Sequence, residues 1–501
     1  MHHATNRRNV TIAVMVATFL TAMDNTVVST AMPTIVSELG GISLFSWVFA
    51  VYLLTTAVTT PIWGKLADLF GRKIIFTIGT ALFLLGSMLS GMAQSMDQLI
   101  WFRAFQGIGA GAVFPITLTI IGDLYSYEER ARIQGLFSAV WGISGIIGPL
   151  VGGFFVDYLS WRWIFYINVP VGLASMVLVW IFLNEQFAKQ RKHIDYWGAL
   201  TFAIGMTSLL YALLSGGQSY AWNSATIIGL FVIAVLTLSL FLWIQAHSPE
   251  PMLPLKLFTI RTISVANLAG FLAGAILIGL SAYLPMWIQG ILGHSATNAG
   301  LTLTPMSIGW PIGATIGGRL MLKVGSRRIS LIGMGAIFIA SVWLATVATS
   351  TPQLVLIVIM LIVGFGFGFA MTAFTVVVQS VVGWNMRGAA TASQQFVRTL
   401  GQTVGIAVFG TWFNRSITAY FQAHPGVHAI SGQDMNKLLD PTFAKSLPSE
   451  VLHTMREGLA SGLHSVFVIF ALISIVGLLV IFWLPRYEPA PSNAEGEGSR
   501  A

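Results

Sequence analysis

The chain of 501 residues contains no cysteine, and only 9% of it is charged. Without cysteine there is no disulfide, no thiol nucleophile and no thiolate metal site. A soluble globular chain carries about 25% charged residues, so a surface of this composition could not be kept wet all round. A soluble enzyme, a disordered scaffold and a nucleic-acid reader are poor readings of it. The net charge of +8 would hint at nucleic acid in a soluble protein. In a membrane protein it is the expected excess of cytoplasmic loops. A phosphate-gripping glycine loop is also missing, as is any nucleophile beside a base. His2 and His3 are a terminal pair, and His424 and His428 fall in one outer segment, so no metal cluster is expected. Nucleotide-driven pumping and enzymatic catalysis are set aside, no cofactor is expected, and an ion gradient is left as the energy source.

What the chain has is apolar length, with 55% hydrophobic residues. A bilayer-spanning helix needs about 20 mostly apolar residues. Fourteen such runs lie near 11–36, 45–63, 74–94, 97–122, 134–156, 163–183, 197–215, 224–246, 263–290, 298–321, 329–349, 353–380, 390–414 and 462–484. The run from 134 is rich in glycine and that from 298 holds Pro305 and Pro311, residues commoner in spanning helices than in soluble ones. The first run is too long for a cleaved signal, contains Asp24, and precedes no small-residue cleavage pattern.

Basic residues give the orientation. With the N-terminus inside, nineteen of the 26 lysines and arginines fall in cytoplasmic segments. Five fall outside (Arg162, Arg415, Lys437, Lys445 and Arg456), and Arg103 and Arg398 sit within spans. The positive-inside rule thus supports an all-α integral membrane protein of fourteen spans with both termini cytoplasmic. An error of one span would flip the later loops and destroy the asymmetry.

GKLADLFGRK (64–73) follows the second run, and GRLMLKVGSRR (318–328) follows the tenth. If the seventh and eighth runs are an inserted pair, these two segments occupy equivalent places in two six-helix halves. The expected organisation is therefore a half over 1–190, an inserted hairpin over 191–255, a second half over 256–488 and a disordered cytoplasmic tail over 489–501. Two parallel halves with a site between them form a transporter architecture. The longest segment between runs, about 415–461, lies outside and holds an amphipathic stretch over 449–459. Loops of that length are functional or disordered.

Within hydrocarbon an ionisable side chain costs about 2.5–3.5 kcal/mol, so those retained there are the candidates for function. Asp24 is the one carboxylate well within a span. At 1.5 Å per residue it lies about 9 Å below the outer edge of the apolar core, and Arg103, entering from outside on the fourth run, reaches about the same depth. The two are expected to face one cavity and interact, either as a static structural pair or as a proton-coupling device. Burial favours the protonated acid and a neighbouring arginine favours the carboxylate, so a gate that alternates the two influences would load and release a proton. Gln106 lies one turn beyond Arg103 and extends its polar face.

In the second half, Arg398 lies near mid-depth, with Gln395 and Gln402 on the same helical face and no obvious acidic partner. This stripe is read as cavity lining. The fifth run carries Gly145, Gly148, Pro149, Gly152 and Gly153, which suit either tight packing or a helix that bends or slides. In the 64–73 segment Gly64 and Gly71 allow a tight turn, and Asp68, Arg72 and Lys73 offer charges for a cytoplasmic latch or simply set topology. The second copy has Leu322 where Asp68 would fall, so a latch would be asymmetric. Trp47, Tyr52, Trp141, Trp287, Trp310 and Phe374 are aromatic candidates for an apolar cargo site, although such residues more often face lipid or core.

These residues carry a family resemblance. GKLADLFGRK resembles the loop signature of the major facilitator superfamily, RAFQGIG (103–109) its fourth-helix motif, and GIIGPLVGG (145–153) the fifth-helix motif of its exporters. AMDNTVVSTAMP (22–33) resembles the first-helix signature of the superfamily's 14-span drug/proton antiporters. The resemblance implies a 6+2+6 helix arrangement and a proton-coupled multidrug exporter, with Asp24 a membrane-embedded acid. It also implies that Arg103 takes part in proton transfer and that Asp68 with Arg72 controls gating. Some members carry further acids in their later helices, where dicationic cargo can bind. The last six runs here have none, which favours monocationic, zwitterionic or neutral amphipaths.

The expectation is a monomeric, multi-pass plasma-membrane antiporter that exchanges protons for small amphipathic molecules by alternating access, with the lipid bilayer, and neither nucleic acid nor nucleotide, as its other partner. The rivals are a dedicated exporter of one metabolite, siderophore or lipid; a proton-coupled uptake symporter, against which the fifth-helix motif argues; and a membrane receptor or structural subunit without flux.

Overall fold

Every apolar run is drawn out as helix, because no other arrangement satisfies a run's backbone N–H and C=O groups without water. The computed structural model describes residues 6–125, 127–185, 195–217, 219–249, 251, 253–383, 386–423, 436, 438–439 and 441–485. The first half comprises α1 (Arg7–Leu39), α2 (Phe45–Phe70), α3 (Arg72–Met92), α4 (Met96–Leu124) and α5 (Tyr127–Tyr158), then α6 (Trp163–Tyr166) and α7 (Asn168–Phe182), which divide the sixth run between them. A pair follows, α8 (Tyr196–Ser215) and α9 (Ala225–His247). Then come α10 (Arg261–Met286), continued by a π-helical turn at Trp287–Ile291, α11 (Ala296–Val324), α12 (Ser326–Ala345), α13 (Gln353–Ser380), α14 (Arg387–Ala423), the short α15 (Pro441–Ser446) and α16 (Ser449–Ile481). Among the described residues there is no strand beyond an isolated bridge between Gly216 and Tyr220.

Twelve spans among the described residues are long and apolar enough to cross a membrane. The helices α11 and α14 fall outside that set, since each dilutes its apolar residues with polar ones, Asn298, Thr302, Thr304 and Ser307 in α11 and the Gln395, Arg398, Gln402 stripe in α14. Helix starts carry their expected caps. Ser95, Ser224 and Ser295 each accept a hydrogen bond from the backbone N–H three residues on.

The packing repeats. In the first half α1 packs on α5 and α7, and α4 packs on α2 and α3; in the second, α10 packs on α14 and α16, and α13 on α11 and α12. Between the halves α5 meets α11 and α2 meets α14. The two loop segments match in detail. Gly71 has φ 97° and ψ 146°, Gly325 φ 85° and ψ 154°, and each donates its N–H to the carbonyl four residues back, on Ala67 and Met321. The α8–α9 pair lies on the periphery. Its inner member reaches α2 through Trp47 and Tyr211, whose rings are 5.8 Å apart, and α14 through Phe202 and Phe396 at 5.4 Å.

Hydrogen bonds cross between the halves at the end where α1 stops and α2 begins. Asp157 at the close of α5 accepts from the N–H groups of Ala296 and Thr297 at 3.1 and 2.9 Å, an anion at the start of α11. Gln289 donates to the Thr30 carbonyl at 2.9 Å, Asn414 to that of Ser43 at 3.0 Å, and Ser46 and Tyr283 share a bond of 2.7 Å. The segment expected over 415–461 is shorter than the sequence suggested. The helix α14 continues to Ala423, and the amphipathic stretch 449–459 is the opening of α16. Between them Asn436 accepts from the Ile42 N–H at 2.8 Å, and Leu438 and Leu439 are buried. Most of 424–440 lies outside the described residues, as do His2, His3, His424, His428 and the tail 489–501.

Backbone geometry yields a test at the repeat. With φ near +90° and extended ψ, positions 71 and 325 suit only glycine, and another residue costs about 1–3 kcal/mol. Gly64 lies within α2 with nothing within 4 Å of an added Cβ. Gly71→Ala and Gly325→Ala are expected to lower the melting temperature of the purified protein, while Gly64→Ala leaves it unchanged or raises it; thermal unfolding in detergent reads all three.

Candidate functional site

Asp24 and Arg103 meet. Arg103 Nη1 lies 2.6 Å from Asp24 Oδ2, and both side chains are almost fully buried, at 0–1% exposure. The pair is enclosed by neutral amides. Gln106 accepts from Arg103 Nη1 at 2.9 Å and donates to Asp24 Oδ1 at 2.9 Å, closing a three-residue ring. Asn168 donates to the same Oδ1 at 3.2 Å and to Ser87 Oγ at 3.0 Å, and Ser87 donates to the Phe165 carbonyl at 2.8 Å. The Arg103 guanidinium lies against Tyr52, 3.9 Å from its ring centroid. Desolvating a charged pair is repaid only when its remaining lone pairs and protons find partners, and these amides supply them. Arg103 Nε and Asn168 Oδ1 remain without one.

Five helices deliver these groups: Asp24 from the middle of α1, Tyr52 from α2, Ser87 from α3, Arg103 and Gln106 one turn apart on α4, and Asn168 at the first position of α7. The approach of α3 to α4 depends on Gly86, where a Cβ would stand 2.5 Å from the Gln106 Cα. Of this cluster the sequence pointed to Asp24, Arg103 and Gln106. Tyr52 was placed among the cargo-facing aromatics and proves to be the arginine's platform. Asn168 and Ser87 were missed, since a neutral polar residue in an apolar run carries no charge to mark it.

The charges of the 64–73 segment reach acids and carbonyls on neighbouring elements. Glu185, just beyond α7, accepts from the N–H groups of Arg72 and Lys73 at 2.7 and 3.0 Å, a carboxylate at the start of α3. Arg72 Nε lies 3.0 Å from Asp123 Oδ2 at the end of α4. Lys73 donates to the Leu183 carbonyl at 2.9 Å and lies 4.7 Å from the Trp180 ring centroid. The Asp68 side chain is outside the described residues. Glu185 and Asp123 escaped notice because, as acids at helix ends, they read as solvated.

The fifth-helix glycines press α5 onto two neighbours at once. A Cβ on Gly148 or Gly152 would meet Thr26 or Thr30 of α1, and one on Gly145 or Gly153 would meet Ser307 or Thr297 of α11. The Pro149 carbonyl lies against Gly300, and Ser307 donates to the Gly145 carbonyl at 2.8 Å. Helix α5 thus packs on both the Asp24 helix and the second half. The remaining candidates separate. Trp141 is 42% exposed and stands edge-on to Phe114. Trp310 stacks on Phe367, while Trp287 and Phe374 are buried in the second half, so as core residues they are corrected from the aromatic cargo set. Gln395, Arg398 and Gln402 share one stretch of α14, with Arg398 Cγ against Gly274 of α10 and Arg398 Nε buried without a partner.

The site's energetics are asymmetric. Removing one member of a buried pair costs about 3–5 kcal/mol by stranding the other. A stranded carboxylate can neutralise itself by taking a proton, whereas a guanidinium cannot lose one. Asp24→Asn is therefore expected to lower the melting temperature more than Arg103→Gln or Asn168→Ala, and the double variant Asp24→Asn/Arg103→Gln to recover most of the loss. A thermal-unfolding double-mutant cycle on purified protein checks this.

The sequence model described as Major Facilitator Superfamily matches residues 14–406. "Multidrug resistance protein 3" of Bacillus subtilis (strain 168) is 37% identical over 475 residues, 93% of each chain. "Multidrug transporter protein MdtP" of the same organism is 34% identical over 96% of this chain and 94% of its own. In fold, the chain resembles a bacterial homolog of the human lysosomal transporter Spinster, solved inward-facing and unoccupied, with TM-score 0.68, 16% identity and coverage of 97% and 100%. The first-helix acid, the fourth-helix arginine, the glycine-lined fifth helix and the paired loop segments lie within the matched span, and the chain is a multi-span membrane transporter belonging to the Major Facilitator Superfamily.

Proposed function

We propose that this transporter is a proton-coupled antiporter that exports amphipathic small molecules across the plasma membrane by alternating access. Fourteen spans in a 6+2+6 arrangement, both termini cytoplasmic, give the orientation that the distribution of lysine and arginine favours. On this reading the hydrogen-bonded end of the bundle faces outward, and the described conformation is closed to the exterior. The protein works as a monomer and needs no cofactor beyond the proton gradient. Its cargo comes from the cytoplasmic side and is drug-like, by analogy with the multidrug names of the two Bacillus relatives.

The observation that carries the reading is the Asp24 carboxylate. It is sealed in the membrane and held by Arg103, Gln106 and Asn168 together. A proton arriving at Asp24 cancels the charge that holds Arg103, and the guanidinium then keeps only its contact with Tyr52 and its bond to Gln106. Restoring the ion pair expels the proton. The two states differ by one charge at the junction of five helices, so each favours a different packing of α1 against α4 and α7. Helix α5 passes the change to α11, because its glycines press it on both. Exterior acid loads Asp24 in the outward-open state; after inward opening, cargo binding and re-pairing with Arg103 discharge the proton into the cytoplasm.

Expected in proteoliposomes with an imposed pH gradient, Asp24→Asn abolishes uphill export of a fluorescent amphipathic dye while dye binding by the purified variant persists. Uphill export by Asp24→Asn at the wild-type rate would remove proton coupling from this residue.

A further inference from the structure

The second half carries a charge with no counter-charge. Arg398 sits on α14, and no hydrogen bond or ion pair engages it among the described residues, with its Nε buried and unpartnered. The contrast with Arg103, which has a carboxylate, a glutamine and an aromatic face, is complete. Arg398 points away from the peripheral pair. Phe396 contacts Phe202 of α8, and at about 100° per residue Arg398 lies roughly on the opposite side of the helix, where its stem rests on Gly274 of α10. It is partly exposed there, so its charged end has access to solvent or ligand.

A second observation lies on the adjoining helix. Asn267 of α10 is 2% exposed, and neither its amide nitrogen nor its amide oxygen has a partner. Gly401 abuts Phe271 and Gly405 abuts Ala275, so α10 and α14 run in parallel with a fixed register. Asn267 lies on the same face of α10 as Gly274, on which Arg398 rests, about two turns before it. Buried polar groups are normally satisfied, and groups left open along one helix contact mark a place for a missing partner. The groups present are a guanidinium and an amide, donors that suit a carboxylate or similar oxyanion. The last six apolar runs contain no aspartate or glutamate, so the spans of this half supply no anion of their own.

We propose that Arg398, with Asn267 on the facing helix, binds an anionic group carried by the cargo, so that this transporter prefers amphipaths bearing a carboxylate, zwitterions included, over their neutralised or purely cationic counterparts. The proposal rests on the export reading and narrows its substrate class. The site lies at the α10–α14 contact, one side of the interface through which the second half meets α2, and the anion satisfies there the charge that the chain leaves open. Asp24 and Arg103 remain devoted to the proton.

The test compares rhodamine B, whose benzoate is free, with its ethyl ester, in which the same acid is masked. Binding to the purified full-length protein is read by fluorescence polarisation and export by proteoliposome assay. Wild type is expected to bind the acid more tightly than the ester. Hydrogen bonds to charged groups are worth about 1.5–3 kcal/mol, so Arg398→Gln should shrink the acid-to-ester affinity ratio by roughly tenfold or more, Arg398→Lys should restore most of it, and Asn267→Ala should reduce it by a smaller factor. Monodisperse elution of each variant reports that it folds. A ratio unchanged in Arg398→Gln, or a wild type that exports both dyes without preferring the acid, overturns the proposal and leaves the export reading standing. Failure of wild type to bind or move either dye overturns both.

Discussion

A carboxylate and a guanidinium 2.6 Å apart inside an apolar bundle cannot be separated without payment to solvent or to a proton. That constraint ties together α1, α2, α4 and α7, which supply the pair and the groups that touch it, and α3, whose Ser87 holds Asn168. On the proposed exchange the site alternates between the charged pair and a neutral acid with the arginine resting on Tyr52, and the protonation of one carboxyl biases how these helices pack. The bonds of Asp157 to the start of α11, and of Gln289 to Thr30, join the halves at one end, and on the proposed mechanism they are the ones that must break for the halves to swing.

The two halves repeat in packing and in the backbone of their loop glycines, yet they divide the chemistry. In the first half Asp24 faces Arg103, and Arg72 lies between Asp123 and Glu185. In the second, no acid engages Arg398 among the described residues. The proposed exchange gives a reason for such a division, because on that reading the groups that carry the ion need to be satisfied without cargo, and those that meet cargo need to be left open. Helix α5 is the mechanical link, its glycines setting α1 on one face and α11 on the other.

Much of this was legible in the sequence, for physical reasons that also mark its limits. Charge inside an apolar run is costly, so Asp24, Arg103 and Arg398 stood out, and helix geometry placed the first two at a common depth. Helical spacing added Gln106. Asn168 and Ser87 could not be found this way: a neutral residue in such a run is cheap, and what makes Asn168 part of the site is the break after α6 that starts α7 at its position. Nothing in the sequence marks Glu185, which the fold sets on the first N–H groups of α3. The aromatics could not be sorted from sequence, because a tryptophan or phenylalanine fits core, lipid and cavity equally well; tertiary contacts place Tyr52 against Arg103 and bury Trp287 and Phe374 in the core. The length of the outer segment was overestimated because polar turns of α14 and α16 that project past the apolar runs read as loop.

The central claim, that Asp24 carries an exchangeable proton, is met most directly by infrared difference spectroscopy of the purified protein, with Asp24→Asn as the reference that assigns the Asp24 carboxyl band. At mildly acidic pH the account predicts a protonated-carboxyl signal from Asp24 in the absence of cargo, converted to a carboxylate signal when cargo is added. A carboxylate signal alone, at every pH at which the protein stays folded and with or without cargo, would contradict it.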